Sequence, residues 1–262
     1  MKARGKTVTL FGLCAAAWLA IMLSSPVVAD TVNVSASVEA AGGEIEGTTI
    51  VIQRLSDGQR WIANTDRAKL RFSPASTSKI PHSLIALEYG LATPETVFEW
   101  DGVLRSNRAW NKDHTLGSAF QNSVVWVYQE IARTGRQSVM SDGLKSFDYG
   151  NLNVGTIDQL TTYWLDDTLL ISALEQVEFL SKLALEQLPL SEATYMASRD
   201  LMVTDTSANW TLHSKTGWRY STSDMDIGWF VGWLECTSQT YVFALNMDMP
   251  DTRFLSKRKA VA

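Results

Sequence analysis

Ser76, Thr77, Ser78 and Lys79 place a hydroxyl and an amine three residues apart. If Pro74 and Ala75 lead into a helix, Ser76 and Lys79 stand one turn apart on the same side of it. A serine hydroxyl is a poor nucleophile at neutral pH and needs an adjacent base. Lysine can be that base only if its pKa falls far below the ordinary value of about 10.4. Burial lowers it, and Phe72, Trp164 and Leu165 are candidates for the apolar wall. Alone the spacing says little. About one Ser-x-x-Lys match is expected by chance in a chain of this size, and a helix cap followed by a solvent lysine explains it as well.

Lys215-Thr216-Gly217 is rarer, with well under ~0.1 chance matches expected. It falls in a strand pattern, where a glycine lets another chain or a ligand approach the backbone closely. The lysine and hydroxyl beside it can hold an anionic group; an edge-strand lysine is the plainer reading. Ser123, followed by Val124 and Val125, offers a second hydroxyl that could relay a proton between Lys79 and a leaving nitrogen. It could equally cap the helix that begins at Val124.

Elements to carry these groups are visible in the patterning. Thr48 to Leu55, the segment at Trp61 and Ile62, Trp210 to Trp218, Ile227 to Leu234, and Thr240 to Met247 read as strands. Glu235 to Gln239 is the hairpin link between the last two. Ser78 to Tyr89, Val124 to Thr134 (closed near Gly135), Ser172 to Gln187 and Ser191 to Met202 carry helical periodicity. Strand-rich ends flank a helix-rich middle. The expected fold is α/β in an α+β-like arrangement: a central antiparallel sheet flanked by helices, from residues 30–75 and 205–262, with a helix-rich lobe from 76–204. A site would lie in the cleft between them.

Taken together, Ser-x-x-Lys, Ser-x-Val and Lys-Thr-Gly, in this order and spacing, resemble the class D (oxacillinase-type) serine β-lactamases. Pro74 to Pro81 resembles that family's nucleophile segment, and Tyr149-Gly150-Asn151 its second loop. Tyr163-Trp164-Leu165 resembles the loop whose tryptophan meets the active-site lysine, and Phe243 to Asp248 the last strand. The resemblance implies the serine β-lactamase and penicillin-binding transpeptidase-like fold, hydrolysis of the β-lactam amide of penicillins and some cephalosporins, and β-lactam resistance. It implies Ser76 as nucleophile and Lys79 as a base carboxylated on its side-chain nitrogen by CO2 (an N6-carboxylysine), with no other cofactor. Trp164 would hydrogen-bond to that carbamate, Ser123 assist proton transfer, and Lys215 position the substrate carboxylate.

The backbone N–H groups of Ser76 and Trp218 are the expected oxyanion hole. Val125, Leu165, Thr216, Gly217 and Arg258 would contact substrate; Arg253 is the other arginine beyond the last strand, less well spaced from Asn246. Ser123 followed by Val-Val rather than Asp-Asn departs from the class A pattern. Family members usually continue into a longer C-terminal helix, so the sheet face it covers is expected to be less protected here.

The opening residues read as an export signal: Lys2, Arg4 and Lys6, then an apolar run from Thr9 to Leu23, then small residues to Ala29. Cleavage after residue 29 would leave a catalytic domain of residues 30–262, secreted to a bacterial periplasm. Cys14, inside the apolar run, is read as ordinary. The full chain has 23 basic and 28 acidic residues. Without the leader the balance is 20 to 28, formally −8, which disfavours nucleic-acid binding. Cys236 alone remains, so no intrachain disulfide forms. His82, His114 and His213 lack metal-ligand spacing. The partner is a small-molecule substrate, with monomer and homodimer both open. Two rivals stay in view: a penicillin-binding sensor or D,D-peptidase that acylates but deacylates slowly, and an inert binding protein of the same fold.

Overall fold

The computed structural model describes residues 31–262; the expected leader and Cys14 lie outside the described residues. The strands are β1 (Thr31–Asn33), β2 (Thr48–Arg54), β3 (Arg60–Ala63), β4 (Arg71–Phe72), β5 (Val97–Phe98), β6 (His114–Thr115), β7 (Ile171–Ser172), β8 (Val203–Thr206), β9 (Trp210–Arg219), β10 (Asp226–Cys236) and β11 (Thr240–Met249). The helices are α1 (Ser35–Ala40), α2 (Thr65–Lys69), α3 (Lys79–Glu88), α4 (Leu116–Gln121), α5 (Val125–Ser146), α6 (Ala173–Ala184), α7 (Glu192–Met202) and α8 (Phe254–Val261).

Seven strands form the main sheet in the order β1-β3-β2-β11-β10-β9-β8. Every pairing in it is antiparallel except β1 with β3. The two ends of the chain thus share one sheet, as the strand-rich termini require. Along β10, Trp229, Val231 and Trp233 enter the main core, while Phe230 enters a smaller core on the other face. That is the period of two that a sheet covered on both sides demands. Val38, Leu245, Met247 and Val261 complete the smaller core beneath α8.

The middle segment does not stand apart from the sheet. α6 packs on β2, β10 and β11, while α3 packs on α5 and α7. α6 starts where the sequence commands it: Ser172 Oγ accepts the Glu175 N–H at 3.2 Å, and Glu175 Oε2 accepts the Ser172 N–H at 2.9 Å. Ser191 Oγ caps α7 by accepting the Thr194 N–H at 3.3 Å. The first part of α5 closes at Gly135, as the sequence leads one to expect. Arg136 adopts φ 60° and breaks the helix, which then resumes because Met140 and Leu144 bury completely.

Beside α8, a groove of about 580 Å³ lies on the outer sheet face, with Trp61, Trp210, Phe230, Tyr241 and Phe243 among its walls. Among the described residues no helix is long and apolar enough to cross a membrane.

Candidate active site

Ser76 sits in a 3₁₀ turn, Ala75–Ser78, that runs directly into α3 at Lys79. The turn is tied down from three sides. Trp229 on β10 donates its indole N–H to the Ser73 carbonyl at 2.9 Å. Gln176 on α6 donates to Thr77 Oγ1 at 3.0 Å. The Trp164 carbonyl accepts from Ser73 Oγ at 2.8 Å and from the Ala75 N–H at 3.0 Å. These anchors hold Ala75 at φ 48°, a left-handed conformation costly for a residue with a Cβ. The strain falls on the residue next to the nucleophile.

Lys79 is completely buried, and its Nζ lies 3.3 Å from Ser76 Oγ. Burial, and secondarily the charge of Lys215, push its pKa well below the lysine range. Burial thus disfavours the charged ammonium and favours an amine able to accept a proton. Its aromatic wall is Tyr128, whose ring lies 4.9 Å from Nζ. Phe72 pairs with Ile171 in the β4–β7 ladder, and the Arg67 guanidinium lies over its ring at 4.7 Å.

Ser123 is not a helix cap. α5 starts at Val125 with Val124 before it and no side-chain capping bond. Ser123 instead adopts φ 52°, and its Oγ accepts a short hydrogen bond from Lys215 Nζ. Lys215 also donates to the Thr216 carbonyl at 3.2 Å. Burial first, then the cations Arg258 and Lys259, lower the Lys215 pKa to about 7. Two hydroxyl–amine pairs, Ser76 with Lys79 and Ser123 with Lys215, thus come together from the 3₁₀ turn, α3, the α4–α5 junction and β9.

β9 lies against the nucleophile turn. The glycine of Lys-Thr-Gly makes that contact possible: a Cβ on Gly217 would sit 2.9 Å from the Pro74 carbonyl oxygen and 3.1 Å from Thr77 Cγ2. Trp218 follows it, 37% exposed, with its indole N–H donated to Asp226 at 2.8 Å. The Ser76 and Trp218 backbones therefore belong to two elements in direct contact. Thr216 is half-buried and shares a small polar pocket with Lys215 and Lys259. Val125, first in α5, and Leu165 beside Trp164 are both half-buried.

The two arginines separate clearly. Arg258 is buried and donates to the Gly217 carbonyl at 2.5 Å. Arg253 is exposed and paired with Asp251 at 2.6 Å. Asn151 stitches the loop that carries Trp164: its side chain donates to the Thr168 carbonyl at 2.9 Å and accepts the Leu170 N–H at 3.0 Å. His213 packs away from the site, stacked on Trp233 at 4.5 Å with Nδ1 3.1 Å from the Arg199 carbonyl.

A buried carbamate on Lys79 needs donors to stabilise its charge. Trp164 Nε1 is fully buried and has no hydrogen-bond partner. A spare donor on a segment bonded directly to the nucleophile turn suits an anionic group in this pocket. Among the described residues no cluster of His, Cys, Asp or Glu could hold a metal.

The fold and this site define a class. Residues 47–262 match the family model of the penicillin-binding protein transpeptidase domain. The chain is 42% identical over 215 residues to β-lactamase OXA-48 of Klebsiella pneumoniae, covering 81% of this chain and 79% of that one. The crystal structure of a class D β-lactamase, YbXI from Nostoc, superposes with a TM-score of 0.83 at 36% identity, covering 88% of this chain and 95% of that one. A class D β-lactamase from Sebaldella termitidis gives 0.82 at 31% identity, covering 89% and 95%. The chain belongs to the class D serine β-lactamases.

Proposed function

We propose that the chain hydrolyses the amide bond of β-lactams through an acyl-enzyme on Ser76, with Lys79, carboxylated on Nζ, as its general base. The observation that supports this best is the wholly buried Lys79 amine 3.3 Å from Ser76 Oγ, its pKa pushed well below the lysine range by burial. Only a neutral amine adds CO2: the Nζ lone pair bonds to carbon, a C–O π pair moves onto oxygen, and an Nζ proton leaves to solvent. When present, the carbamate supplies an anionic acceptor that takes a proton from Ser76 or from water more readily than a lone amine.

Ser76 Oγ then attacks the lactam carbonyl, and the N–H groups of Ser76 and Trp218 receive the developing oxyanion. Ser123 passes a proton to the departing ring nitrogen, its hydroxyl oriented by Lys215. Protonated Lys215, Thr216 and Arg258 favour the substrate carboxylate. Hydrolysis of the ester by a base-activated water completes the cycle, which a slow-releasing sensor or peptidase does not do at a useful rate. Resistance to β-lactams follows where the enzyme meets the drug before its target. Residues 1–29 as a cleaved leader and periplasmic export fit that task.

The test is acid exposure followed by return to neutral pH with and without bicarbonate. Carbamate nitrogen takes up a proton in acid and CO2 departs. The expected result is lost activity that bicarbonate restores. Full activity without added bicarbonate, in CO2-depleted buffer, would exclude the carboxylated base and leave the bare Lys79 amine.

A further inference from the structure

Beneath Lys79 lies a buried polar contact that the steps above do not use. His82, one turn further along α3, is wholly enclosed, and its Nε2 is 2.6 Å from the Tyr163 hydroxyl. The same imidazole meets the Trp164 ring edge-on at 4.8 Å, and the Tyr163 and Trp164 rings meet edge-on at 4.9 Å. Three rings thus brace one another directly beside the lysine. Neither His82 Nδ1 nor Trp164 Nε1 has a partner.

Burial above all lowers the His82 pKa to about 3, so the imidazole is neutral. If Tyr163 donates to Nε2, the Nδ1–H is left free. If Nε2–H donates to Tyr163, the phenol O–H is left free. Either tautomer leaves one donor buried in addition to the Trp164 indole. An unmet buried donor is costly. An anion in the pocket is what such a surplus of donors suits.

We propose that His82 and Tyr163 are a positioning pair for carboxylation of Lys79: their hydrogen bond fixes the Trp164 ring so that its indole N–H is held ready to donate to the group on Nζ. This rests on the carboxylated-lysine reading above. The pair acts on the affinity of Lys79 for CO2 and leaves the acylation chemistry to Ser76 and Ser123.

The experiment is a titration of the protein with ¹³C-bicarbonate, following the carbamate carbon by NMR, in wild type, Tyr163→Phe and His82→Gln. Tyr163→Phe keeps the ring and its packing, so the fold is retained; His82→Gln keeps an amide able to bond to Tyr163. The half-saturating bicarbonate concentration is expected to rise about tenfold in Tyr163→Phe, as loss of one buried hydrogen bond predicts, and less in His82→Gln. Turnover should fall at ambient CO2 and recover at saturating bicarbonate, whereas a purely structural role would depress it at every concentration. Wild-type affinity in Tyr163→Phe would overturn the pairing. A wild-type spectrum without any carbamate resonance would instead overturn the carboxylation reading, and the pairing with it.

Discussion

Replacing Gly217 by alanine isolates the contact on which the site geometry depends. The added Cβ would lie 2.9 Å from the Pro74 carbonyl oxygen, 3.1 Å from Thr77 Cγ2 and 3.1 Å from Trp229 Cβ. Relief to ordinary contact requires β9 to move off the nucleophile turn by roughly half an ångström, since core contacts are close-packed. The turn resists. The Pro74 carbonyl already accepts the Thr77 N–H at 3.0 Å and the Thr77 hydroxyl at 2.7 Å, and Trp229 fixes Ser73. Overpacking of this kind costs about 1–3 kcal/mol, or about 2–4 °C of melting temperature per kcal/mol in a domain this size. The same shift carries the Trp218 N–H away from Ser76. A 1 Å misplacement costs on the order of a hundredfold, so roughly a tenfold loss of kcat/KM is expected from half that displacement. Benzylpenicillin kinetics and a thermal melt on Gly217→Ala, with Gly217→Val as a harsher step, read both effects. Wild-type kcat/KM and an unchanged melt in Gly217→Ala would refute the claim that this approach sets the distance between the two backbone donors.

Other outcomes follow from the buried charges. Lys215, at a pKa of about 7, is protonated below that pH and loses its charge above it, so KM for carboxylate-bearing β-lactams should climb on the alkaline side. Arg258→Ala removes a neighbouring cation and should raise KM while moving that alkaline limb to higher pH; Arg253→Ala should change neither, and pH profiles of KM distinguish them. His82 has its folded pKa lowered to about 3 from 6.5. The unfolded chain therefore binds a proton that the folded one refuses between those values. Stability from this group is complete above pH 6.5 and falls as pH drops toward 3, by up to about 5 kcal/mol. Urea unfolding of His82→Gln across that window should show a flatter acid dependence than wild type.

The side chains gathered in the candidate site were legible from short motifs: Ser76 and Lys79 by helical spacing, Lys215 by a strand triplet whose glycine the close approach to Pro74 requires. Ser123 was legible only in their company, and its capping role dissolved because α5 starts one residue later, at Val125, with Val124 in the cap position. The long strands were readable from their β-branched patterning, and α6 and α7 from their helical periodicity. What the sequence concealed is tertiary. Tyr128 walls Lys79 only because α5 packs on α3, whereas Phe72, closer in sequence, is drawn into the β4–β7 ladder. The left-handed conformations of Ala75 and Ser123 leave no residue-type signature, since alanine and serine adopt them only when anchors such as the Trp164 carbonyl impose them. His82 carried a faint signal, three residues from Lys79 on one helix face, but its partner Tyr163 lies far along the chain.

The most direct test is to follow product against enzyme by intact mass and chromogenic cephalosporin turnover in wild type, Ser76→Ala and Lys79→Ala. Wild type should complete many turnovers without lasting mass gain, Ser76→Ala should form neither product nor adduct, and Lys79→Ala should be severely slowed, any acyl-enzyme it forms persisting. A wild-type protein that stops after one equivalent and retains the drug's mass would contradict hydrolysis and identify a protein that is acylated but not released.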